Sequence, residues 1–165
     1  MSPIAWQIAC RLITRSLLSA LILISTISGG GAADQVRQPV TLTAQQTSAS
    51  FAVLPDILAR RPATLLISIS KVVNPDKSSF EILVYLERNE KDRPERFLVG
   101  NFSPYPADKP GGFRLSTTDS FRKLGDVSHS EGSKTALVIE MVRMHDTDRW
   151  NSLQVTIAPP EWQDH

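Results

Sequence analysis

The sequence is poor in cysteine and has little charge bias. Its only cysteine, Cys10, cannot form an intramolecular disulfide or a cysteine-rich metal site. Lysine and arginine total 18 and aspartate and glutamate 17, so the formal net charge is +1. A nucleic-acid-binding domain usually has a strong basic excess, and this chain has none. The length of 165 residues suits one domain with a short appendage, stabilised by its hydrophobic core.

The N-terminal segment, residues 1–33, contains no acidic residue. Arg11 and Arg15 precede the apolar run Leu17–Ile24, and small residues follow up to Ala33. This order is typical of a secretory signal, with cleavage after Ala33. The run is short for a membrane span, which needs about 20 apolar residues. We therefore predict an exported protein, periplasmic or secreted, with an uncleaved membrane anchor as the alternative.

Cleavage at that position would leave a chain without any thiol, because it removes Cys10. It would also remove both arginines of the segment, so the mature chain would have a net charge of −1. The mature domain is therefore predicted to have no cysteine nucleophile and no cysteine metal ligand.

The remaining chain divides into a Gln-rich polar linker (34–47), a folded domain (48–158) and a tail (159–165). Short runs with period-two alternation, separated by turn residues, predict an all-β antiparallel sandwich or barrel. Its seven predicted strands are Ser50–Leu54, Thr64–Ser70, Phe80–Glu87, Phe97–Phe102, Phe113–Ser116, Ala136–Val142 and Leu153–Ile157.

Three local features refine this prediction. One short helix is expected over Thr118–Gly125, capped by Thr117 or Thr118 and ended by the glycine. The charged stretch Glu87–Arg96 is interpreted as a solvated hairpin loop with salt bridges. Gly100, inside a strand, predicts a bulge or a close backbone approach.

Residues that could support catalysis are few. The Ser128-His129-Ser130 segment offers a nucleophile and a base, but it lies in a polar loop without a nucleophile-elbow pattern. The other histidines, His145 and His165, show no metal-binding spacing. We predict a non-enzymatic domain with no catalytic, cofactor-binding or metal-binding residues. An enzyme whose turnover depends on His129 or His145 is the rival interpretation.

Two further groups of side chains leave alternatives open. Met141, Met144 and His145 have the chemistry of copper ligands, but on one strand Met144 would point away from the other two. Packing is the simpler interpretation of these residues. The aromatic residues could complete the edges of the core or form a binding surface. They are Tyr85, Tyr105, Trp150 and Trp162.

A family resemblance covers roughly residues 50–158. The segment Ser79–Leu86 resembles the Lys-Phe-Asp-Val strand that names the C-terminal KFDV domain of plant polyphenol oxidases. Phe97–Phe102 is similar to the Phe-Ala-Gly-Ser-Phe strand of that family, and Phe113–Gly125 to its Arg-Leu-x-Leu-x-x-Thr-Asp-Leu-Leu segment. The chain departs from the family in having Ser79 at the position of its lysine.

The resemblance implies a β-sandwich that packs over the copper site of a tyrosinase-like oxidase, shields it and has no copper ligands of its own. Because this chain includes no oxidase domain, such a shield would act in trans. No motif identifies the side chain that would block the copper site. We expect the contact surface to include Gly100, Phe102, Pro104 and Tyr105. The alternative is a free-standing envelope module that binds a glycan or another protein.

Overall fold

The computed structural model describes residues 38–90, 93–125, 134–146 and 149–164, and these residues form nine strands and two short helices. In chain order the elements are β1 (Val40–Thr43), β2 (Ser48–Ala52), α1 (Pro55–Arg60), β3 (Thr64–Val73), β4 (Phe80–Glu90), β5 (Arg93–Phe102), β6 (Gly111–Ser116), α2 (Thr118–Leu124), β7 (Lys134–Arg143), β8 (Gln154–Ile157) and β9 (Glu161–Gln163).

The strands form two antiparallel sheets. The first sheet has the order β1-β8-β3-β6. β6 pairs with one side of β3, and the other side of β3 pairs with β9 at its start and with β8 at its end. The second sheet has the order β2-β7-β4-β5. Apolar side chains from both sheets meet in one core, as expected for a sandwich. The predicted all-β antiparallel fold is confirmed.

Strand alternation builds this core. In β4, every second residue from Phe80 to Leu86 is at most 1% exposed, whereas the residues between them are only half-buried. The same alternation in β3 buries Leu65, Ile67 and Ile69. Because successive side chains on a strand point to opposite faces, each sheet has one inner and one outer face.

The hairpin of β4 and β5 corrects one prediction. The stretch Glu87–Arg96 is not a long loop, because β4 continues to Glu90 and β5 begins at Arg93. Its charges pair across the strands: Arg96 Nε donates to Glu87 Oε2 at 2.7 Å, and Arg88 lies 2.6 Å from Glu95. The predicted salt bridges are therefore present, but they lie on paired strands. Opposite charges directly across a ladder stabilise it.

Two strands were not predicted from the sequence. β1 lies within the predicted linker, where Leu42 is fully buried between two exposed or half-buried threonines. β9 lies within the predicted tail and places Trp162 opposite Leu65 of β3. Pro159 and Pro160 separate β8 from β9, because proline has no amide hydrogen for the ladder. The segments predicted as linker and tail thus contribute strands to the first sheet.

The predicted helix over Thr118–Gly125 is confirmed as α2, but its cap differs. Thr117 occupies the N-cap position without a side-chain capping bond, and its hydroxyl instead donates to the carbonyl of Pro62. Gly125 ends the helix with a φ of 75°, a conformation that side chains disfavour. A second helix, α1, begins at Pro55 and was not among the predicted elements. Neither helix of the described ranges could cross a bilayer.

Candidate functional site

The predicted contact residues lie at the end of β5 and in the loop that follows it. Among the four, only Tyr105 is fully accessible, with 97% of its surface exposed. Pro104 is buried, and Gly100 and Phe102 are half-buried. A tyrosine that projects into water from a folded loop makes few contacts with its own domain, so its ring is accessible to another molecule.

Gly100 and Phe102 serve the sandwich itself. The bulge predicted at Gly100 is present, because the register between β4 and β5 shifts at Val84 and Tyr85. A Cβ atom on Gly100 would lie 3.1 Å from a methyl of Leu115 on β6, so the close approach is present as well. Phe102 stacks on Phe113 of β6 with ring centroids 3.9 Å apart. Both residues join the adjacent edges of the two sheets.

The loop that carries Tyr105, residues Ser103–Pro110, is hereafter the Tyr105 loop. It is anchored by Asn74, which is 7% exposed in the turn between β3 and β4. Its side-chain amide donates to the carbonyl of Ala107 at 3.0 Å and to the carbonyl of Ser78 at 2.8 Å. Its side-chain oxygen accepts the amide of Ser78 at 2.9 Å. One buried side chain therefore joins the turn to the Tyr105 loop.

Ser78 extends this connection to a third loop. Its hydroxyl donates to the carbonyl of Arg149, between β7 and β8, at 2.9 Å. Ser78 is 4% exposed, so Asn74 and Ser78 are both buried polar residues, and the side chains of both make hydrogen bonds. Asn74-Pro75-Asp76 is a turn-forming sequence, and Asn74 was not among the predicted site residues. The available signal was an asparagine at a turn, but its partner 33 residues away could not be predicted.

A cleft of about 470 Å³ lies beside Tyr105. Phe80 and Pro104 form part of its apolar wall, and Lys77 and Met144 also line it. Met144 is 48% exposed, and the hydroxyl of Ser103 lies 3.6 Å from its sulfur. The cis peptide bond between Tyr105 and Pro106 lies at the same place. An apolar wall with a few polar groups and a projecting aromatic ring suits recognition rather than proton transfer.

The other three aromatic candidates are separated from Tyr105 by their packing. Trp150 is 4% exposed and lies under the guanidinium of Arg143, 5.2 Å away. Trp162 packs on Phe121 of α2 at 5.8 Å. Tyr85 is half-buried on the outer face of the second sheet. The four residues therefore do not form one binding surface.

The residues considered for catalysis or copper are not brought together either. Met141 is a core residue with 1% exposure, whereas Met144 and His145 are exposed beyond the end of β7. Ser128, His129, Ser130 and His165 lie outside the described residues. Within the described ranges, no three His, Cys, Asp or Glu side chains are grouped so that they could hold a metal ion.

The two ends of the sandwich differ. Ala136 of β7 pairs with Ala52 at the end of β2 and with Glu87 near the end of β4. Leu54, which follows β2, therefore lies at the end of the sandwich where β4 finishes. Phe102 pairs with Ile82, so the Tyr105 loop lies at the end where β4 begins.

A comparison of the chain with protein-family models and with curated proteins gives no match, and the resemblance to the KFDV domain stays a prediction.

Proposed function

We propose that this protein is a non-enzymatic, exported binding domain that docks onto a partner protein through Tyr105. The exposed phenol ring is the observation that supports the proposal, since it is 97% exposed on a loop anchored by Asn74. Tyrosine is enriched among the residues that dominate binding energy at protein interfaces. A loop already ordered before binding loses less conformational entropy in the complex.

The partner that the resemblance implies is a tyrosinase-like copper oxidase. Such enzymes act on phenols, and the side chain of Tyr105 is itself a phenol that projects beyond the sandwich. Tyr105 would fill the substrate pocket of the oxidase and exclude diffusing substrates, which is the shielding role in trans. The half-exposed Met144 beside it would add apolar contact at the rim.

The test is capture of the tagged protein, with its bound proteins, from the envelope fraction of its own cells. Wild type should retain a copper oxidase in stoichiometric amount, and added protein should suppress diphenol oxidation. The Tyr105→Ser variant should raise the dissociation constant by roughly 30-fold or more, the cost of losing a central interface residue. Leu54→Ser is the matched control, because Leu54 is 46% exposed at the opposite end of the sandwich.

Absence of an oxidase at every salt concentration would contradict the shielding role. Retention of some other protein or of a glycan, again lost in Tyr105→Ser, would identify a free-standing envelope module. Equal capture of every ligand by wild type and Tyr105→Ser would refute the use of Tyr105 itself.

A further inference from the structure

Met144 carries the only exposed sulfur in the described part of the chain. The sequence contains one cysteine and three methionines, and Cys10 and Met1 belong to the N-terminal segment. The other two methionines are close in sequence but differ in their surroundings. Met141 is a core residue with 1% exposure, whereas Met144, the first residue after β7, is 48% exposed. A solute can therefore reach the sulfur of Met144 but not that of Met141.

Met144 also contacts the Tyr105 loop directly. The hydroxyl of Ser103, which belongs to that loop, donates to the sulfur of Met144 at 3.6 Å. Both side chains line the cleft of about 470 Å³ beside Tyr105, together with Phe80 and Pro104. A thioether sulfur is a weak hydrogen-bond acceptor. It has two lone pairs, so this contact leaves one of them to react. A chemical change at Met144 therefore changes the wall of the cleft next to Tyr105.

We propose that Met144 is a modification site at which a hydroperoxide oxidises the thioether to methionine sulfoxide, and that the sulfoxide weakens docking through Tyr105. The sulfur lone pair attacks one peroxide oxygen, so an S–O bond forms and the O–O bond breaks. The sulfur loses two electrons and the peroxide gains them. The proton of the attacked oxygen passes to the departing oxygen, which leaves as water or an alcohol. The docking half of this inference rests on the proposed function.

The oxidation changes how a partner can cover the cleft. It converts a flexible apolar side chain into a polar one. The sulfoxide oxygen accepts hydrogen bonds more strongly than the sulfur did, so the hydroxyl of Ser103 keeps the oxidised side chain at the cleft wall. Water occupies the remaining acceptor position of that oxygen. A partner that covers the cleft must remove this water, and desolvation of a polar group without a new hydrogen bond disfavours binding.

The first measurement is a peptide map of the protein, as it accumulates in cells that express the full-length gene, after treatment with hydrogen peroxide. Trypsin cleaves after Arg143, so the two methionines fall on separate peptides. Met144 should gain one oxygen at least about 50-fold faster than Met141, because the buried methionine reacts only when β7 opens. Equal rates for the two methionines, or an unmodified Met144, would overturn the proposal.

The second measurement is docking, with the copper oxidase of the envelope fraction as the probe. The protein is treated with peroxide, and the peroxide is removed before the oxidase is added. The dissociation constant of wild type should rise by about tenfold, the effect of one polar group in an apolar contact. Methionine sulfoxide reductases for both sulfoxide epimers should restore the original value, because they reverse this modification.

Two matched substitutions test whether Met144 is the sensitive group. Met144→Leu removes the sulfur and keeps the apolar volume, so its dissociation constant should be the same before and after peroxide. Met141→Leu removes the buried sulfur and should keep the wild-type response of about tenfold. A third variant, Met144→Gln, places a polar amide in the cleft wall. It should weaken docking about tenfold without any peroxide.

The outcomes separate this inference from the proposed function. If the oxidised protein docks as tightly as the untreated one, the regulation is refuted while the proposed function stands. A peroxide response that persists in Met144→Leu would refute it as well, because the sensitive group would be another residue. If the untreated protein retains no oxidase, the proposed function fails and the regulatory half falls with it. The peptide map then still decides whether Met144 is the reactive sulfur.

Discussion

Asn74 is the residue whose removal should most disturb the end of the sandwich that carries Tyr105. Its side chain makes three hydrogen bonds, two to Ser78 and one to the carbonyl of Ala107, while only 7% of its surface is exposed. The Asn74→Ala substitution removes all three at once. The amide of Ser78 then loses its partner in a site that is 4% exposed.

The expected cost follows from these contacts. A net hydrogen bond contributes about 0.5–1.5 kcal/mol, and a buried group left without a partner costs about 1–3 kcal/mol. For three bonds at the edge of the fold, where water can satisfy some of the freed groups, we expect Asn74→Ala to lower the free energy of unfolding by about 2–4 kcal/mol. Ser78→Ala removes the hydroxyl bond to Arg149 and should cost about 1 kcal/mol.

Urea unfolding at 25 °C, followed by tryptophan fluorescence, measures this effect. The slope for a small domain is about 1–3 kcal/mol per molar urea, so the midpoint for Asn74→Ala should fall by roughly 1–2 M. Asp76→Ala is the matched control in the same turn. Its carboxylate accepts one exposed hydrogen bond from Ser152 at 3.2 Å, so its loss should change the free energy of unfolding by less than about 0.5 kcal/mol.

The result that would refute this reasoning is a change below about 0.5 kcal/mol for Asn74→Ala with an unaltered slope. It would mean that the turn and the Tyr105 loop do not depend on each other. A second readout distinguishes global from local loss. If Asn74 orders the loop, limited proteolysis near Tyr105 should accelerate in Asn74→Ala and stay at the wild-type rate in Asp76→Ala.

Three further substitutions test the packing on which the sites depend, each by the same urea titration. Leu42→Ala should cost about 2–5 kcal/mol, because Leu42 is fully buried although it lies in the predicted linker; a neutral result would mean that β1 is dispensable. Gly100→Val should cost about 1–3 kcal/mol, because even its Cβ would crowd Leu115 at 3.1 Å, and an unchanged midpoint would contradict this close approach. Arg88→Met should cost about 1–2 kcal/mol, because Arg88 donates to the carbonyl of Leu124 at 2.9 Å and pairs with Glu95. Unchanged stability would show that this contact between β4 and α2 does not stabilise the fold.

The outer face of the second sheet illustrates how far a sequence pattern predicts a surface. Alternation along β4 predicted one buried and one wetter face, and the structure has that arrangement. The same alternation places Leu83 and Tyr85 on the more exposed face, but the pairing of β4 with β7 and β5 decides which residues lie next to them on that face. Contiguity with Val138 and Leu98 became visible only with the register. Patches depend on which strands are adjacent, and adjacency is a long-range property.

The sequence by itself determined the elements whose signals are local. Period-two alternation marked β3 and β4, the glycine after Leu124 marked the end of α2, and Gly100 marked the bulge, because each signal acts within a few residues of the chain. Tertiary structure decided the rest. β1 and β9 exist because β8 and β3 provide their hydrogen-bond partners, and the hairpin lengthens because opposite charges meet across it. Asn74 anchors the Tyr105 loop from a distant turn, so the exposure of Tyr105 depends on contacts that no local pattern encodes.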